Sequence, residues 1–284
     1  MLLSHPLTLH GIRSTLATHA LGQRIDLFDR IDSTNREAFA LAQADVEHGA
    51  IVVAEEQTEG RGRLGRTWFS PPGMNLNCSV IIRKSLAQDR LAEWLSWLPL
   101  AAALAAAESL EQVAQIPVSV KWPNDLLIVE RKVGGILCES GTAPRSGPFQ
   151  VVGIGINVNG SSDGFPEEIR DSTTTIFQET GRLVDRNRLL SQLLLELEQC
   201  VDELWTSGYS RIAFAYCKRC ITLGQPVRAS LAGGKEFIGV AEAIGPDGSL
   251  QVSERPVPAN GRPPEIRRLR AADIIHLRPG ENAG

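Results

Sequence analysis

The sequence predicts an α+β protein, with strands and helices intermixed up to residue 221 and a small β-barrel after that. Three observations carry this. The apolar run Ala50-Ile51-Val52-Val53-Ala54 reads as a buried strand and feeds directly into a loop of glycines and arginines. Asp185 stands before a long amphipathic stretch, Arg186 to Ser207, that Gly208 ends, so both helix boundaries are signalled. From Thr222 the pattern changes to short strands spaced by Gly224-Gln225-Pro226, Gly233-Gly234 and Pro246-Asp247-Gly248, the spacing of a small barrel. The expected domains are therefore residues 1–221 and 222–284.

Taken in order, residues 1–24 hold a short helix, and Ile25 to Ile31 alternates as a strand. Thr34-x-x-Glu37 has capping-box spacing before the helix former Ala38 to Ala44. Asn75 to Arg83 reads as a strand after the turn Pro71-Pro72-Gly73. A helical region covers about Gln88 to Gln115, broken or kinked at Pro99. Pro117 to Trp122 and Asp125 to Glu130 are strands, Arg131-Lys132 make a hairpin turn, and Val133 to Glu139 returns. Phe149 to Asn157 is a strand whose Gly153 and Gly155 admit another backbone or a ligand. Asn159 to Thr174 is polar and turn-rich, a mobile surface segment, and Ser210 to Cys220 is a further helix. The barrel strands are Val227 to Leu231, Phe237 to Ile244, Leu250 to Val252 and Ile266 to Leu269.

Composition narrows the function. The 284 residues are 43% hydrophobic and 22% charged, with a formal net charge of -4, so no general field favours nucleic acid. Five scattered cysteines fit reduced thiols in a cytoplasm. Cys217-x-x-Cys220 lacks a second pair and reads as buried helix thiols rather than a zinc site. Residues Met1 to His10 are not a signal peptide, and Leu95 to Ala107 is too short for a membrane span. The 24 residues before the first strand are too few for a helix-turn-helix module.

The chemistry concentrates in Gly60-Arg61-Gly62-Arg63-Leu64-Gly65-Arg66-Thr67-Trp68. Gly60, Gly62 and Gly65 spell a dinucleotide fingerprint, but Trp68-Phe69-Ser70-Pro71-Pro72 follows where that motif needs a helix. Three guanidinium groups point instead to side-chain binding of an anion. A solvated basic turn is the ordinary alternative. Ser33, Thr34 and Asn35 could be helix caps or could hold a polar ligand. Asn124 and Asp125 could be turn formers, and Lys132 a solvated hairpin lysine.

Four stretches in sequence resemble the biotin protein ligases. They are Asp32-Ser33-Thr34-Asn35, the arginine–glycine loop, Lys121-Trp122-Pro123-Asn124-Asp125 with Lys132-Val133-Gly134-Gly135-Ile136-Leu137, and Gly153-Ile154-Gly155-Ile156-Asn157. The resemblance implies a mixed sheet flanked by helices, like class II aminoacyl-tRNA synthetases, followed by an SH3-like barrel. It implies ATP and Mg²⁺ as cofactors, biotin as substrate, and the biotin carboxyl carrier protein of acetyl-CoA carboxylase as partner. Biotin would meet Ser33, Thr34, Asn35, Gln57, Arg61, Gly62, Arg63 and Lys132; the nucleotide would meet Arg66, Trp68, Lys121, Asn124 and Asn157. Lys132, Arg63 and Asp125 would be catalytic, and no metal ligands are assigned. Thr173-Thr174-Thr175-Ile176 departs from the family's stretch before the long helix, leaving adenine contacts there open. The likeness is to the monofunctional type, cytoplasmic, with no DNA and no membrane partner, and is compatible with a homodimer.

The physics agrees. Joining a carboxylate to a triphosphate brings two anions to bonding distance, which arginines, a lysine and Mg²⁺ can neutralise without a covalent nucleophile. The mixed anhydride formed hydrolyses readily, so a closing loop has a purpose. The rivals are a lipoate ligase-like acyl-adenylate transferase, a nucleic-acid or ligand-sensing module, and a nicotinamide oxidoreductase. Polar residues at Ser33 to Asn35 favour biotin over the first, and the acidic balance opposes the second.

Overall fold

The structure, a computed structural model, describes residues 6–83, 88–230, 236–254, 265–270 and 273–276. Short helix α1 (Leu9–Thr15) precedes strand β1 (Ile25–Ile31), helix α2 (Thr34–Gln43) and strand β2 (Ile51–Gln57). A single 3-10 turn, Arg63–Gly65, interrupts the loop to β3 (Asn75–Ile82). The long helix α3 (Gln88–Ala114) leads to β4 (Ser119–Lys121), β5 (Asp125–Ile128), β6 (Arg131–Ala143) and β7 (Gly147–Asn157). Helices α4 (Glu167–Arg170), α5 (Ile176–Thr180), α6 (Arg186–Thr206) and α7 (Ser210–Arg219) follow. Strands β8 (Pro226–Ser230), β9 (Glu236–Ile244), β10 (Leu250–Glu254), β11 (Ile266–Leu269) and β12 (Asp273–His276) complete the described residues.

The first sheet runs β1-β2-β3-β7-β6-β5-β4. The β1–β2 pair is parallel and every other neighbour antiparallel, so the sheet is mixed as expected. The second sheet, β11-β10-β9-β8-β12, is wholly antiparallel, in keeping with an SH3-like unit. Helices α3 and α6 pack on each other across one face of the first sheet. The alanines Ala101 to Ala107 are fully buried there, and their small side chains let α6 approach closely. α2 covers the other face with Ala38 and Ala42 against Ile81, Phe149 and Val151. Asp185 caps α6, its side chain accepting from Asn187 N, a contact worth about 1 kcal/mol.

Several expectations are corrected or refined. Helix α2 is capped from Ser33 without a side-chain hydrogen bond; the Thr34 hydroxyl is committed elsewhere, so no capping box forms. α3 is not broken at Pro99: the ring removes one hydrogen bond, but Trp97, Leu98 and Leu100 are buried on either side of it and the helix continues. The β5–β6 turn is Val129-Glu130, at φ 47 and 69, and Lys132 lies inside β6 rather than at the tip. Two-residue turns of that twist want glycine or asparagine, so Val129 concealed it. Gly153 and Gly155 both line the cleft, and the close approach seen there is by side chains rather than by another backbone: an added Cβ would sit 2.0 Å from Asn35 Oδ1 and 2.6 Å from the Trp68 ring. The small sheet gains a fifth strand, β12, too short to read from pattern. The Gly233-Gly234 turn and Leu231 lie outside the described residues.

The segment 159–174 contains a 3-10 turn, Ser162–Gly164, and α4; it is mainly exposed until Thr173, Thr174 and Thr175, which are buried. Cys217 sits on α7 and Cys220 at its end, both free. Among the described residues no helix is long and apolar enough to cross a membrane.

Candidate functional site

A cleft of about 1140 Å³ opens over the middle of the first sheet, and every residue assigned above to biotin, nucleotide or catalysis lines it. β3 explains part of its polarity. All eight residues of β3 are buried, yet Asn75, Asn77 and Ser79 alternate with apolar residues, so one face of the strand is polar. That face serves the site. Ser79 donates to Asn35 Oδ1 at 2.7 Å and lies 2.8 Å from Thr34 Oγ1. Trp68 Nε1 donates to Asn77 Oδ1 at 2.9 Å, and Asn75 Nδ2 donates to Asn157 Oδ1 at 3.1 Å. This alternation of polar and apolar residues along β3 is the sequence signal for the polar face.

At one end of the cleft, Thr34 donates through its backbone N–H (2.9 Å) and hydroxyl (3.1 Å) to Gln57 Oε1. Asn35 is saturated within the protein: its amide nitrogen donates to Leu137 O and Glu139 Oε2, while Oδ1 accepts from Ser79. Ser33 differs. It is 1% exposed and its hydroxyl has no partner, a deficit worth about 1–3 kcal/mol that a ligand hydrogen bond would remove.

Lys132 is placed by backbone. Leu127 pairs Lys132 while Leu126 pairs Gly134, so Val133 is an extra residue on β6. Such a bulge re-aims the neighbouring side chain. It brings the Lys132 chain over Gly135, where an added Cβ would lie 3.4 Å from Nζ, and beside Asp125, whose Oδ1 is 2.6 Å away. Beyond the end of β7, residues 172–174 take over as neighbour: Lys132 N donates to Ser172 O, and Thr174 N to Lys132 O, both at 2.8 Å. Backbone contacts on two edges thus fix this lysine.

The arginine–glycine loop is placed differently. Gly62 N donates to Arg66 O and Trp68 N to Gly60 O, closing a small hairpin on itself. No α-helix follows Gly65, which removes the dinucleotide reading. Side chains attach the hairpin: Arg61 pairs with Glu139 at 2.9 Å, and Arg63 Nη1 donates to Asn124 Oδ1 at 3.0 Å. Asn124 in turn donates to Ile136 O, tying it to β6. Lys121 faces the cleft from the end of β4, and Arg66 is exposed at its edge. Asn157 holds Thr174 O through its amide nitrogen, which connects β7 to the segment beside Lys132.

Two features had no motif. Glu139, an ordinary strand carboxylate in sequence, joins Asn35 and Arg61. His276 on β12 brings the second sheet to the cleft, its Nε2 3.2 Å from Thr222 Oγ1; burial, then Lys121, pushes its pKa down, favouring the neutral ring. Burial also holds Cys138, beside Glu139, up at about 12, so it is a thiol and not a nucleophile. The arrangement offers cations, amides and a lone hydroxyl, and the described residues contain no cluster of three metal-ligating side chains.

A mixed sheet carries a cleft rich in arginine and lysine, and the second, antiparallel sheet lines part of it through β12, an arrangement suited to binding an anionic ligand. The chain belongs to the Biotin/lipoate A/B protein ligase family, whose profile matches residues 27–159. It is 35% identical over 93% of its length to the bifunctional ligase/repressor BirA of Bacillus spizizenii, of which it spans 77%. It is 34% identical to the biotin–[acetyl-CoA-carboxylase] ligase of Mycobacterium tuberculosis, over 96% of this chain and 97% of that one. Among solved structures it is similar to the biotin protein ligase of Aquifex aeolicus in complex with biotin and ATP. That match has a TM-score of 0.72 and 28% identity, covering 90% of this chain and 100% of that one.

Proposed function

We infer that this protein is an ATP-dependent biotin–protein ligase of the biotin–[acetyl-CoA-carboxylase] ligase type. It forms biotinyl-5'-AMP from biotin and ATP and passes biotin to a lysine of the carboxyl carrier protein. Relatives carrying that name support it, as do similar structures with biotin and ATP or with biotinyl-5-AMP. The observation that carries the reading is the order of groups along one cleft. An uncharged hydrogen-bonding end (Ser33, Thr34, Gln57) is followed by Arg61, Arg63 and Lys132. A urea ring wants the first and a carboxylate meeting a phosphate the second. Lipoate, with no urea, would leave the Ser33 hydroxyl unpaired.

In the proposed mechanism a biotin carboxylate oxygen attacks the α-phosphorus. The bond to the bridging oxygen breaks, and pyrophosphate leaves. Lys132 meets the charge that gathers on the phosphoryl oxygens, where a fixed cation needs no reorganisation. Arg61 and Arg63 hold the anhydride from above and keep water off it. The amine of the carrier lysine then attacks the acyl carbon, the amide forms, and AMP leaves with the former carboxylate oxygen. Mg²⁺ would supply charge neutralisation for the triphosphate. Asp125 and Glu130 are the carboxylates among the cleft lining, and this sparse set fits an ion that arrives on the nucleotide and needs one or two protein ligands.

We place the boundary between catalytic and SH3-like domains at residues 221/222, and the protein in the cytoplasm; five free cysteines support the latter. The reading includes no DNA partner and leaves the homodimer as a property of the assembly. The test is ATP–pyrophosphate exchange with each acid. Biotin at micromolar concentration should stimulate it and lipoate should not; stimulation by lipoate alone would reverse the assignment.

A further inference from the structure

Glu139 reaches two parts of the cleft at once. Its Oε2 accepts from Asn35 Nδ2 at 2.9 Å and from Arg61 Nη1 at 3.1 Å, and its Oε1 lies 2.9 Å from Arg61 Nη2. Asn35 belongs to the first turn of α2, beside Ser33 and Thr34, and Arg61 to the arginine–glycine loop. Arg63 and Trp68 of the same loop also bond outside it, to Asn124 in the β4–β5 connection and to Asn77 of β3. Glu139 itself stands in the middle of β6, paired with Val151 of β7, so its backbone is fixed.

We propose that Glu139 is a positioning residue that ties the arginine–glycine loop to the Ser33–Asn35 turn and so retains the acyl-adenylate. The inference rests on the ligase reading above. The geometry favours positioning over mere neutralisation. A guanidinium has five N–H donors. The two-point contact with Glu139 takes one from each terminal nitrogen and leaves three for an anion. Arg61 can therefore keep Glu139 and hold a phosphate or carboxylate together. Asn35, with both amide hydrogens in use, acts as the fixed end of the link. A loop with Gly60, Gly62 and Gly65 loses much conformational entropy on closing. A tether that survives ligand binding lowers that cost and slows reopening.

The test is the release rate of biotinyl-adenylate formed on the full-length enzyme, followed by filter binding after a chase with unlabelled biotin. Glu139→Gln keeps the shape and an acceptor for Asn35 but loses the charge that Arg61 needs. Release should rise about 10-fold, with the maximal rate of ATP–pyrophosphate exchange within about threefold of wild type. In an Arg61→Ala background the same change should alter release less than twofold, because Glu139 acts through Arg61. Circular dichroism and thermal unfolding confirm the fold. If Glu139→Gln does not fold, Glu139→Asp replaces it, with the same dependence on background at smaller amplitude. Unchanged release, or equal acceleration with and without Arg61, would overturn the proposal. Absence of any biotin-stimulated exchange in the wild type would instead strike the ligase reading.

Discussion

The two walls of the cleft hold their cations by different means. Lys132 is aimed by a bulge in β6 and by backbone hydrogen bonds on both edges, with Asp125 against its ammonium. Arg61 and Arg63 are aimed by side-chain contacts from a hairpin whose remaining backbone bonds are to itself. Both walls are cationic, yet moving Lys132 requires breaking sheet pairing, while moving the loop requires breaking a few polar contacts near solvent. Chemistry that needs a fixed charge belongs to the first, and retention that needs opening and closing belongs to the second.

If that division is right, substitutions on the two walls should separate by half-reaction. The largest effect is expected for Lys132→Ala, which should slow biotin-dependent ATP–pyrophosphate exchange by about 10²–10³. Transfer from chemically made biotinyl-adenylate should suffer less. Exchange within about threefold of wild type, under 1 kcal/mol, would mean that the rigid wall is not catalytic.

Arg63→Ala comes next. Adenylate release should accelerate about 10-fold, the loss of about 1.4 kcal/mol of binding, while transfer at saturating carrier changes little. An unchanged adenylate lifetime would make the loop's charge irrelevant. Hydrogen exchange sharpens the same contrast without mutation. Amides of residues 59–68 should gain protection on adding biotin or its adenylate, and those of β6 should stay as they were. Equal protection in both states would erase the difference between the walls.

The hairpin tip gives a smaller effect on stability alone. Val129 is 81% exposed and holds φ 47, a conformation costly for a branched side chain. Val129→Asn should raise unfolding free energy by about 1 kcal/mol, with exchange unaltered. A loss of stability would show that the turn is held by something other than its own backbone. The smallest effect is expected from thiol reagents. Burial holds Cys78 up at about 12 and Cys138 at the same value, so both are thiols across the working pH range. Iodoacetamide at neutral pH should leave Cys78 and Cys138 unmodified in the folded protein, read by peptide mass mapping.

Much of this architecture was readable because its signals are local. The Asp185 cap, the α6 repeat and Gly208 state a helix in adjacent residues, and strand β1 fell where its alternation put it. What escaped was decided across the sheet. The bulge at Val133 depends on how β5 and β6 align, and it moves Lys132 from an expected tip to the cleft face. Gly153 and Gly155 signalled closeness, but only the fold shows that Asn35 and Trp68 lie over them. Glu139 carries no local mark, since its meaning comes from residues 104 and 78 positions away. The motifs named the cleft, while long-range pairing and side-chain contacts decided how each cation is held.

Adenylation and transfer separate in a single turnover. Enzyme in excess over labelled biotin is mixed with ATP and Mg²⁺, and the purified carrier domain of acetyl-CoA carboxylase is added after a delay. The expected result is enzyme-bound labelled adenylate before the carrier is added, and stoichiometric transfer of label to one carrier lysine afterwards. Label on the carrier with no adenylate at any time, or adenylate that never passes to the carrier, would contradict it.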